Sequence, residues 1–193
     1  MPRVDNETFY HDALEAHGTT AEGVQWISEQ TQQVRFRVLC ELLPDDLASI
    51  ELVDAGCGFG DLLLYLRECE REPARYLGLD VMAPMIETAR ARTGCEIRHC
   101  DVLQDPLPEA DYYLCSGAMN ILTWDETQAF IRNCLAASRR GFVFNLLKGR
   151  DTSLIYNCRK PAEIQQLADT LNATMTVREG YLAGDFSVLL EHC

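Results

Sequence analysis

The segment from Leu52 to Asp61 reads LVDAGCGFGD and places three glycines at alternate positions directly after a run of apolar residues. Glycine accepts positive φ angles and lets a ligand approach the backbone, so this pattern predicts a buried strand that turns sharply into a helix. A dinucleotide-binding turn reads G-x-G-x-x-G, and its third glycine would stand one position after Gly60, where this chain has an aspartate. Because a carboxylate repels a pyrophosphate, the segment favours a cationic nucleoside ligand over NAD.

Apolar stretches alternate with helical patterns through the middle of the chain. Three stretches, at residues 50–55, 76–80 and 111–117, end in small or polar residues, and a fourth lies at residues 141–147. Thr123 and Glu126 have the spacing of a capping box, which predicts a helix that runs to about residue 138. Strands that alternate with helices predict an α/β fold with a parallel sheet covered on both faces.

The two ends of the chain differ from this alternation. Residues 173–179 and 185–191 alternate apolar with polar side chains, and the glycines between them predict a terminal antiparallel hairpin. Residues 21–43 have helical spacing with no strand before them. We expect a single domain over residues 1–193, with a helical cap or lid at residues 1–45 and the α/β core at residues 46–193.

Two further acids come directly after predicted strands. Asp80 ends the second strand, twenty residues after Gly60, which is the distance at which a carboxylate in such folds accepts hydrogen bonds from ribose hydroxyls. Asp101 comes after a short candidate strand at residues 97–100, in which His99 is expected to be a core histidine. Since the carboxyl ends of the strands meet at one edge of the sheet, the acids converge on the crevice where open α/β sheets bind ligands.

With these residues the chain resembles the class I S-adenosylmethionine-dependent methyltransferases over about residues 50–191. The resemblance is carried by the glycine motif from Asp54 to Gly60, by Asp80 and Asp101, and by the segment SGAMN at residues 116–120. It implies a Rossmann-like, doubly wound, seven-stranded sheet of order 3-2-1-4-5-7-6, mostly parallel with an antiparallel C-terminal strand. It also implies S-adenosylmethionine as the cofactor and S-adenosylhomocysteine as its product.

The resemblance further implies which residues contact the cofactor. The glycine-rich loop would contact the methionine part, with Asp61 as an additional candidate, and Asp80 would bind the ribose. Residues after Asp80 would flank the adenine, and Asp101 would lie near its amino group. The expected contacts are Asp54, Gly56, Cys57, Gly58, Gly60, Asp80, Val81, Met82, Asp101, Val102, Ser116 and Gly117.

The segment after the fourth strand constrains the acceptor. Members of the family that methylate amino groups of bases, glutamine or purines carry [D/N]-P-P-[Y/F/W] there, whereas this chain has no proline or aromatic residue at 116–120. The formal net charge of −13 also works against a nucleic-acid partner. We expect a small-molecule acceptor. The alternatives are a protein or RNA methyltransferase and a non-catalytic methyltransferase-like binding protein, and an NAD-linked oxidoreductase is least favoured.

Methyl transfer from a sulfonium is an in-line displacement, so the protein mainly positions the nucleophile, and a general base is optional. The acceptor would lie over the ends of the fourth and fifth strands. Asn120 and Asn145 are therefore candidates for catalytic contacts with it, and Lys148 is close by. In the predicted lid, Tyr10 and His11 are further candidates for catalytic contacts.

The remaining features concern metal, compartment and assembly. Nine cysteines form no C-x-x-C pair and no cluster at zinc-ligand spacing, so no metal is expected. The N-terminus has no signal-peptide pattern, and no apolar run approaches the ~18 residues of a membrane helix. We expect a cytoplasmic monomer or homodimer with reduced thiols and no membrane partner.

Overall fold

The computed structural model describes residues 28–149 and 156–193. Tyr10 and His11, and most of the predicted cap at residues 1–45, lie outside the described residues. The described part of that cap contains helix α1 at Glu29–Glu41, whose N-cap Ser28 accepts a hydrogen bond from the Thr31 N–H at 3.3 Å.

The described residues form eight strands, five α-helices and one 3-10 helix. The strands are β1 Glu51–Ala55, β2 Arg75–Asp80, β3 Glu96–His99, β4 Ala110–Cys115, β5 Ser138–Lys148, β6 Cys158–Arg159, β7 Ala173–Glu179 and β8 Asp185–His192. The α-helices after α1 are α2 Asp61–Glu68, α3 Ala83–Thr93, α4 Trp124–Ala137 and α5 Pro161–Thr170, and the 3-10 helix is Ala118–Ile121.

All eight strands belong to one sheet of order β3-β2-β1-β4-β5-β8-β7, with β6 paired to the end of β5. The first five strands of this order are parallel, and β8 lies antiparallel to both β5 and β7. The predicted Rossmann-like, doubly wound sheet is thereby confirmed. The two-residue strand β6 is an addition to the seven predicted strands, and it pairs with Leu147 and Lys148 beyond the last β4 partner of β5, Phe144.

Each face of the sheet has its own hydrophobic core. On β5, Phe142, Phe144 and Leu146 belong to the core that contains apolar residues of α4 and α5. Val143 belongs to the opposite core, which contains apolar residues of α1, α2 and α3. Successive side chains of a strand point to opposite faces, so a strand covered on both sides reads as a continuous apolar run.

Most predicted boundaries agree with the structure within a few residues. The capping box is confirmed, because Thr123 and Glu126 bond each other's backbone N–H groups at the start of α4. β5 begins at Ser138 rather than at residue 141, since Ser138 pairs with Ala110 across a register irregularity. The prediction of a core histidine at His99 is wrong: His99 is exposed, because β3 is an edge strand in which only Ile97 is buried.

The helices and the cysteines were also inspected for membrane-spanning character and for disulfide bonds. None of the helices in the described residues has both the length and the apolar character needed to cross a membrane. All nine cysteines are free thiols.

Candidate functional site

The carboxyl ends of β1, β2 and β4 surround a cavity of about 280 Å³. The residues expected to contact a cofactor line this cavity, except Gly60. They are Asp54, Gly56, Cys57, Gly58, Asp80, Val81, Met82, Asp101, Val102, Ser116 and Gly117. Asp61 and Asn120 line it as well. The fold therefore brings these separate sequence segments to one place, and their contacts with a cofactor stay a prediction.

Some lining residues were not predicted from the sequence. They include Gln32, Phe36, Phe59, Leu122, Phe130 and Tyr156. Gln32 and Phe36 stand four residues apart and so share a face of α1. That spacing could have predicted a buried face, but not what the face covers. This face of α1 covers the cavity because of contacts between residues far apart in the chain. One such contact is the hydrogen bond that Gln32 Nε2 donates to Asp61 Oδ2 at 3.4 Å.

The first and last glycines of the loop are required by close packing. A Cβ at Gly56, where φ is +80°, would overlap the Cβ of Ala118 in the 3-10 helix. A Cβ at Gly60, where φ is +79°, would lie 2.5 Å from Thr93 Cγ2 on α3. Gly60 thus allows α2 and α3 to pack closely, and the structure does not place it among the cavity residues.

The N–H groups of the loop are used within the protein. Gly56 and Cys57 both donate to the Leu79 carbonyl, at 2.8 and 3.0 Å, and Gly60 donates to the Cys57 carbonyl at 2.9 Å. Gly58 donates to Asp80 Oδ2 at 2.8 Å. Dinucleotide and P-loop sites present free N–H groups to phosphate oxygens. These four N–H groups are not available for that purpose.

Asp80 connects the end of β2 to the glycine loop. Its Oδ2 accepts from the Gly58 N–H, and its Oδ1 accepts from the Met82 N–H at 3.0 Å. Burial raises the pKa of Asp80, and the hydrogen bonds from the Met82 and Gly58 N–H groups oppose that rise. A carboxylate offers about four lone-pair sites, so the N–H groups of Met82, Gly58 and Val81 leave capacity for a further donor from a ligand.

Asp54 lies deeper in the cavity wall, at the end of β1. It is 2% exposed, and its Oδ2 accepts a hydrogen bond from the Tyr76 hydroxyl at 2.8 Å. Burial raises the pKa of Asp54 to about 7, while the hydrogen bond from Tyr76 lowers it and the nearby charges of Asp80 and Asp61 raise it. Asp54 therefore exchanges its proton close to neutral pH.

The charged groups around the cavity are all acidic. Asp54, Asp61, Asp80 and Asp101 line it, and no lysine, arginine or histidine does so among the described residues. Only part of this charge is compensated, through the contact between Asp61 Oδ1 and Arg92 Nη1 at 2.7 Å. Such a cavity attracts a cationic ligand and repels a polyphosphate.

Asp101 also shapes the turn after β3. Its Oδ1 accepts from the Leu103 N–H at 2.9 Å, and its Oδ2 accepts from Gln104 Nε2 at 2.7 Å. Both oxygens are thus engaged by the turn itself, which places Val102 against the cavity.

The cavity also contains polar groups without protein partners. The Ser116 hydroxyl and Asn120 Oδ1 are buried and have no hydrogen-bond partner. Buried polar atoms in native proteins are nearly always paired, so unpaired ones at a cavity wall indicate a ligand or ordered water. The Cys57 thiol also lies at the cavity, but it is not a polar group of this kind. Burial raises the pKa of the Cys57 thiol, so this side chain stays protonated and packs as an apolar group.

Two candidates near the fifth strand are placed away from the cavity. Asn145 is fully buried within β5 and is not a lining residue, and Lys148 forms an ion pair with Glu179 at 2.7 Å between Nζ and Oε1.

No group of three or more histidine, cysteine, aspartate or glutamate side chains in the described parts of the chain is arranged to hold a metal ion.

Comparisons with known proteins agree with this geometry. A family model described as a methyltransferase domain matches residues 52–141, from β1 into β5. Rv1506c of Mycobacterium tuberculosis (strain ATCC 25618 / H37Rv), named as a methyltransferase, is 34% identical over 102 residues, which are 49% of this chain. A protein of Mycolicibacterium smegmatis (strain ATCC 700084 / mc(2)155), named as an S-adenosylmethionine-dependent methyltransferase, is 30% identical over 149 residues, which are 70% of this chain. This chain carries a class I S-adenosylmethionine-dependent methyltransferase domain.

The methyltransferase fold extends over the whole described chain. Magnesium protoporphyrin IX methyltransferase (ChlM) from Synechocystis PCC 6803, solved with bound SAM, has a similar fold at a TM-score of 0.72 and 16% identity, with 100% of each chain covered. The matches to the two curated relatives span 61% and 56% of those proteins' lengths.

Proposed function

We propose that this methyltransferase transfers a methyl group from S-adenosylmethionine to a small-molecule acceptor by in-line displacement. The proposal rests mainly on the acidic cavity, which four aspartates line. The glycine loop at the same place uses its N–H groups for hydrogen bonds within the protein. A sulfonium nucleoside with an amino-acid tail is cationic at two positions and suits such a cavity, whereas NAD carries a pyrophosphate and does not.

The residues present fit this cofactor. Asp80 would bind the ribose hydroxyls with the acceptor capacity that Gly58 and Met82 leave on its carboxylate. Met82 and Val102 both line the cavity and would offer apolar surface to the adenine. When bound, S-adenosylmethionine supplies an electrophilic methyl group on a positively charged sulfur.

The chain's own contribution to the reaction is positioning and exclusion of water. Phe59, Leu122 and Phe130 give the cavity an apolar wall, which limits competing hydrolysis. Asn120 can orient an acceptor through its unpaired Oδ1 but cannot remove a proton near neutral pH. Alignment of nucleophile and methyl group supplies most of the acceleration expected of such a site.

A small acceptor is favoured by the charge and by the segment after β4. The net charge of −13 disfavours RNA, and residues 116–120 lack the proline motif of base methylators. Two proteins of similar fold are named for small acceptors, magnesium protoporphyrin IX methyltransferase and human N-acetylserotonin methyltransferase.

Calorimetric titration with S-adenosylmethionine, S-adenosylhomocysteine and NADH tests the cofactor. We expect micromolar binding of the first two and none of NADH. Release of S-adenosylhomocysteine is then monitored with a metabolite extract, and with that extract after nuclease or protease treatment. Turnover that survives both treatments supports a small acceptor. Loss of turnover after either treatment favours a macromolecular acceptor, and binding without any turnover favours a binding protein.

A further inference from the structure

One of the four aspartates at the cavity is paired with a cation from outside it. Arg92 Nη1, near the end of α3, lies 2.7 Å from Asp61 Oδ1. The same nitrogen donates a hydrogen bond to the Phe59 carbonyl at 3.1 Å. In the described part of the chain, the other three lining aspartates form no ion pair of this kind. Arg92 therefore contacts the glycine loop on both sides of Gly60.

Asp61 lies at the cavity wall where three helices meet. It is the first residue of α2, directly after Gly60. Its Oδ2 accepts from Gln32 of α1, and its Oδ1 faces Arg92 of α3. Both carboxylate oxygens thus have partners within the protein. The negative charge of Asp61 is therefore held in one place beside the cavity, with or without a ligand.

The ion pair decides the charge of this part of the wall. An arginine is always protonated in proteins, so Arg92 cancels one of the four carboxylate charges at the cavity. The Arg92 side chain is 34% exposed and that of Asp61 is 22% exposed. An ion pair of this exposure contributes little to stability. The charge that Arg92 brings to the cavity therefore matters more than the stability that it adds.

The two ligands of a methyltransferase differ by one charge. S-adenosylmethionine has a sulfonium, whereas S-adenosylhomocysteine has a neutral thioether. The adenine, the ribose and the amino-acid tail are the same in both. We call the Kd of S-adenosylhomocysteine divided by the Kd of S-adenosylmethionine the donor preference. Contacts that the two ligands share cancel in this quotient, so it reports how the cavity treats the sulfonium and its methyl group.

We propose that Arg92 limits the donor preference of this cavity by neutralising Asp61. Without Arg92, the charge of Asp61 would attract the sulfonium more strongly and would act equally on the tail that both ligands carry. Arg92 is a positioning residue, since it acts on the ligand through Asp61 and does not line the cavity. A limited donor preference makes the reaction more sensitive to its accumulated product. This inference rests on the proposed function.

Calorimetric titration of Arg92→Gln with both ligands is the first test. Glutamine retains an N–H donor for the Phe59 carbonyl but carries no charge. We expect the donor preference to rise about threefold to tenfold over wild type, as for one added unit charge near the ligand. Because the pair is partly exposed, the rise should shrink between about 0.05 M and about 0.5 M salt. A donor preference that is unchanged or lower overturns the proposal.

Three further variants separate charge from structure. Arg92→Lys retains the charge, so its donor preference should stay near that of wild type even if both affinities fall. Asp61→Asn leaves Arg92 as an uncompensated cation and should lower the donor preference below that of wild type. The double variant Asp61→Asn with Arg92→Gln has a neutral pair again and should return close to wild type. A merely structural role predicts that every variant weakens both ligands by the same factor, which would overturn the proposal.

Arg178→Gln is the matched control, because it removes the same charge from an exposed side chain of β7 at the far edge of the sheet. Its donor preference should equal that of wild type. A rise as large as that of Arg92→Gln would mean that net charge alone sets the donor preference, and the proposal would be wrong.

The proposed function and this inference can be told apart in the same titrations. If wild type binds neither ligand, the cofactor assignment is rejected for this cavity and the inference falls with it. If wild type and all variants bind both ligands with one donor preference, the inference alone is rejected.

Discussion

At the ends of β1 and β2, buried polar groups have partners within the protein, whereas several at the ends of β4, β5 and β8 have none. Asp80 accepts from two N–H groups and Asp54 accepts from Tyr76. Asn145 and Asp185 Oδ1, by contrast, are buried without such partners. The first region, which we call the paired region and define by Asp54, Asp80 and the glycine loop at residues 56–60, has hydrogen bonds that hold its shape without a ligand. The second region, which we call the unpaired region and define by Asn145 and Asp185, keeps buried polar atoms whose hydrogen bonds the protein does not complete.

The largest effect is expected in the paired region from Gly56→Val. The new side chain would collide with Ala118 at a φ of +80°, so the loop and the 3-10 helix must separate. We expect calorimetry to detect no S-adenosylhomocysteine binding while circular dichroism shows a retained α/β spectrum. Gly94→Ala is the control, because it has a φ of +68° but nothing within 4 Å of the added Cβ. Normal binding by Gly56→Val would show that the loop can relax.

The second prediction concerns the ion pair between Arg35 and Asp185 in the unpaired region. Arg35→Ala leaves Asp185 buried without its cation, and removing one partner of a buried pair costs roughly 3–5 kcal/mol. We expect urea unfolding to show a loss of this size. The double variant Arg35→Met with Asp185→Leu replaces both charges by apolar groups and should recover most of the stability. If the single variant is as stable as wild type, Asp185 is not sealed from water.

The sequence predicted the paired region well because its signals are local. The glycine spacing and the acids at strand ends depend on short segments, and the α/β alternation brings those segments together. The α1 residues Gln32 and Phe36 were missed, since only tertiary packing places them over the cavity.

The unpaired region could be predicted only in part. Asn145 was nominated because it lies in the fifth strand, but its position beside Ser187 depends on the antiparallel register of β8. Asp185 gave no signal of its own, because its ion pair with Arg35 joins residues that are far apart in the chain. Gly60 was assigned to the ligand, although the same local pattern also serves packing between two helices.

A smaller effect is expected from Asp80→Ala in the paired region. Loss of the carboxylate leaves ribose hydroxyls without an acceptor, which should weaken S-adenosylhomocysteine binding by roughly 1–3 kcal/mol in calorimetry. Asp169→Ala removes an exposed carboxylate of α5 and should not change the affinity. Equal affinities of Asp80→Ala and wild type would mean that the ribose does not bind at the end of β2. Thermal unfolding of both variants separates this effect from general destabilisation.

The smallest expected effect concerns the protonation of Asp54. Burial raises the pKa of Asp54 from 3.8 to about 7, against the hydrogen bond from Tyr76 and together with the charges of Asp80 and Asp61. Between these two values the folded protein holds a proton that the unfolded chain has lost, so stability falls as pH rises. The contribution of one such group is at most about 1.4 kcal/mol per pH unit.

Urea unfolding of wild type and Asp54→Asn from about pH 5 to pH 7 measures this contribution. The asparagine keeps an acceptor for Tyr76 but cannot ionise, so we expect a shallower fall in stability with pH in the variant. Asp80 and Asp185, whose pKa values are also raised by burial, are present in both proteins and cancel in the comparison. Identical pH slopes would mean that Asp54 is already ionised at acidic pH, so that the paired region holds a fixed negative charge ready for a cationic ligand.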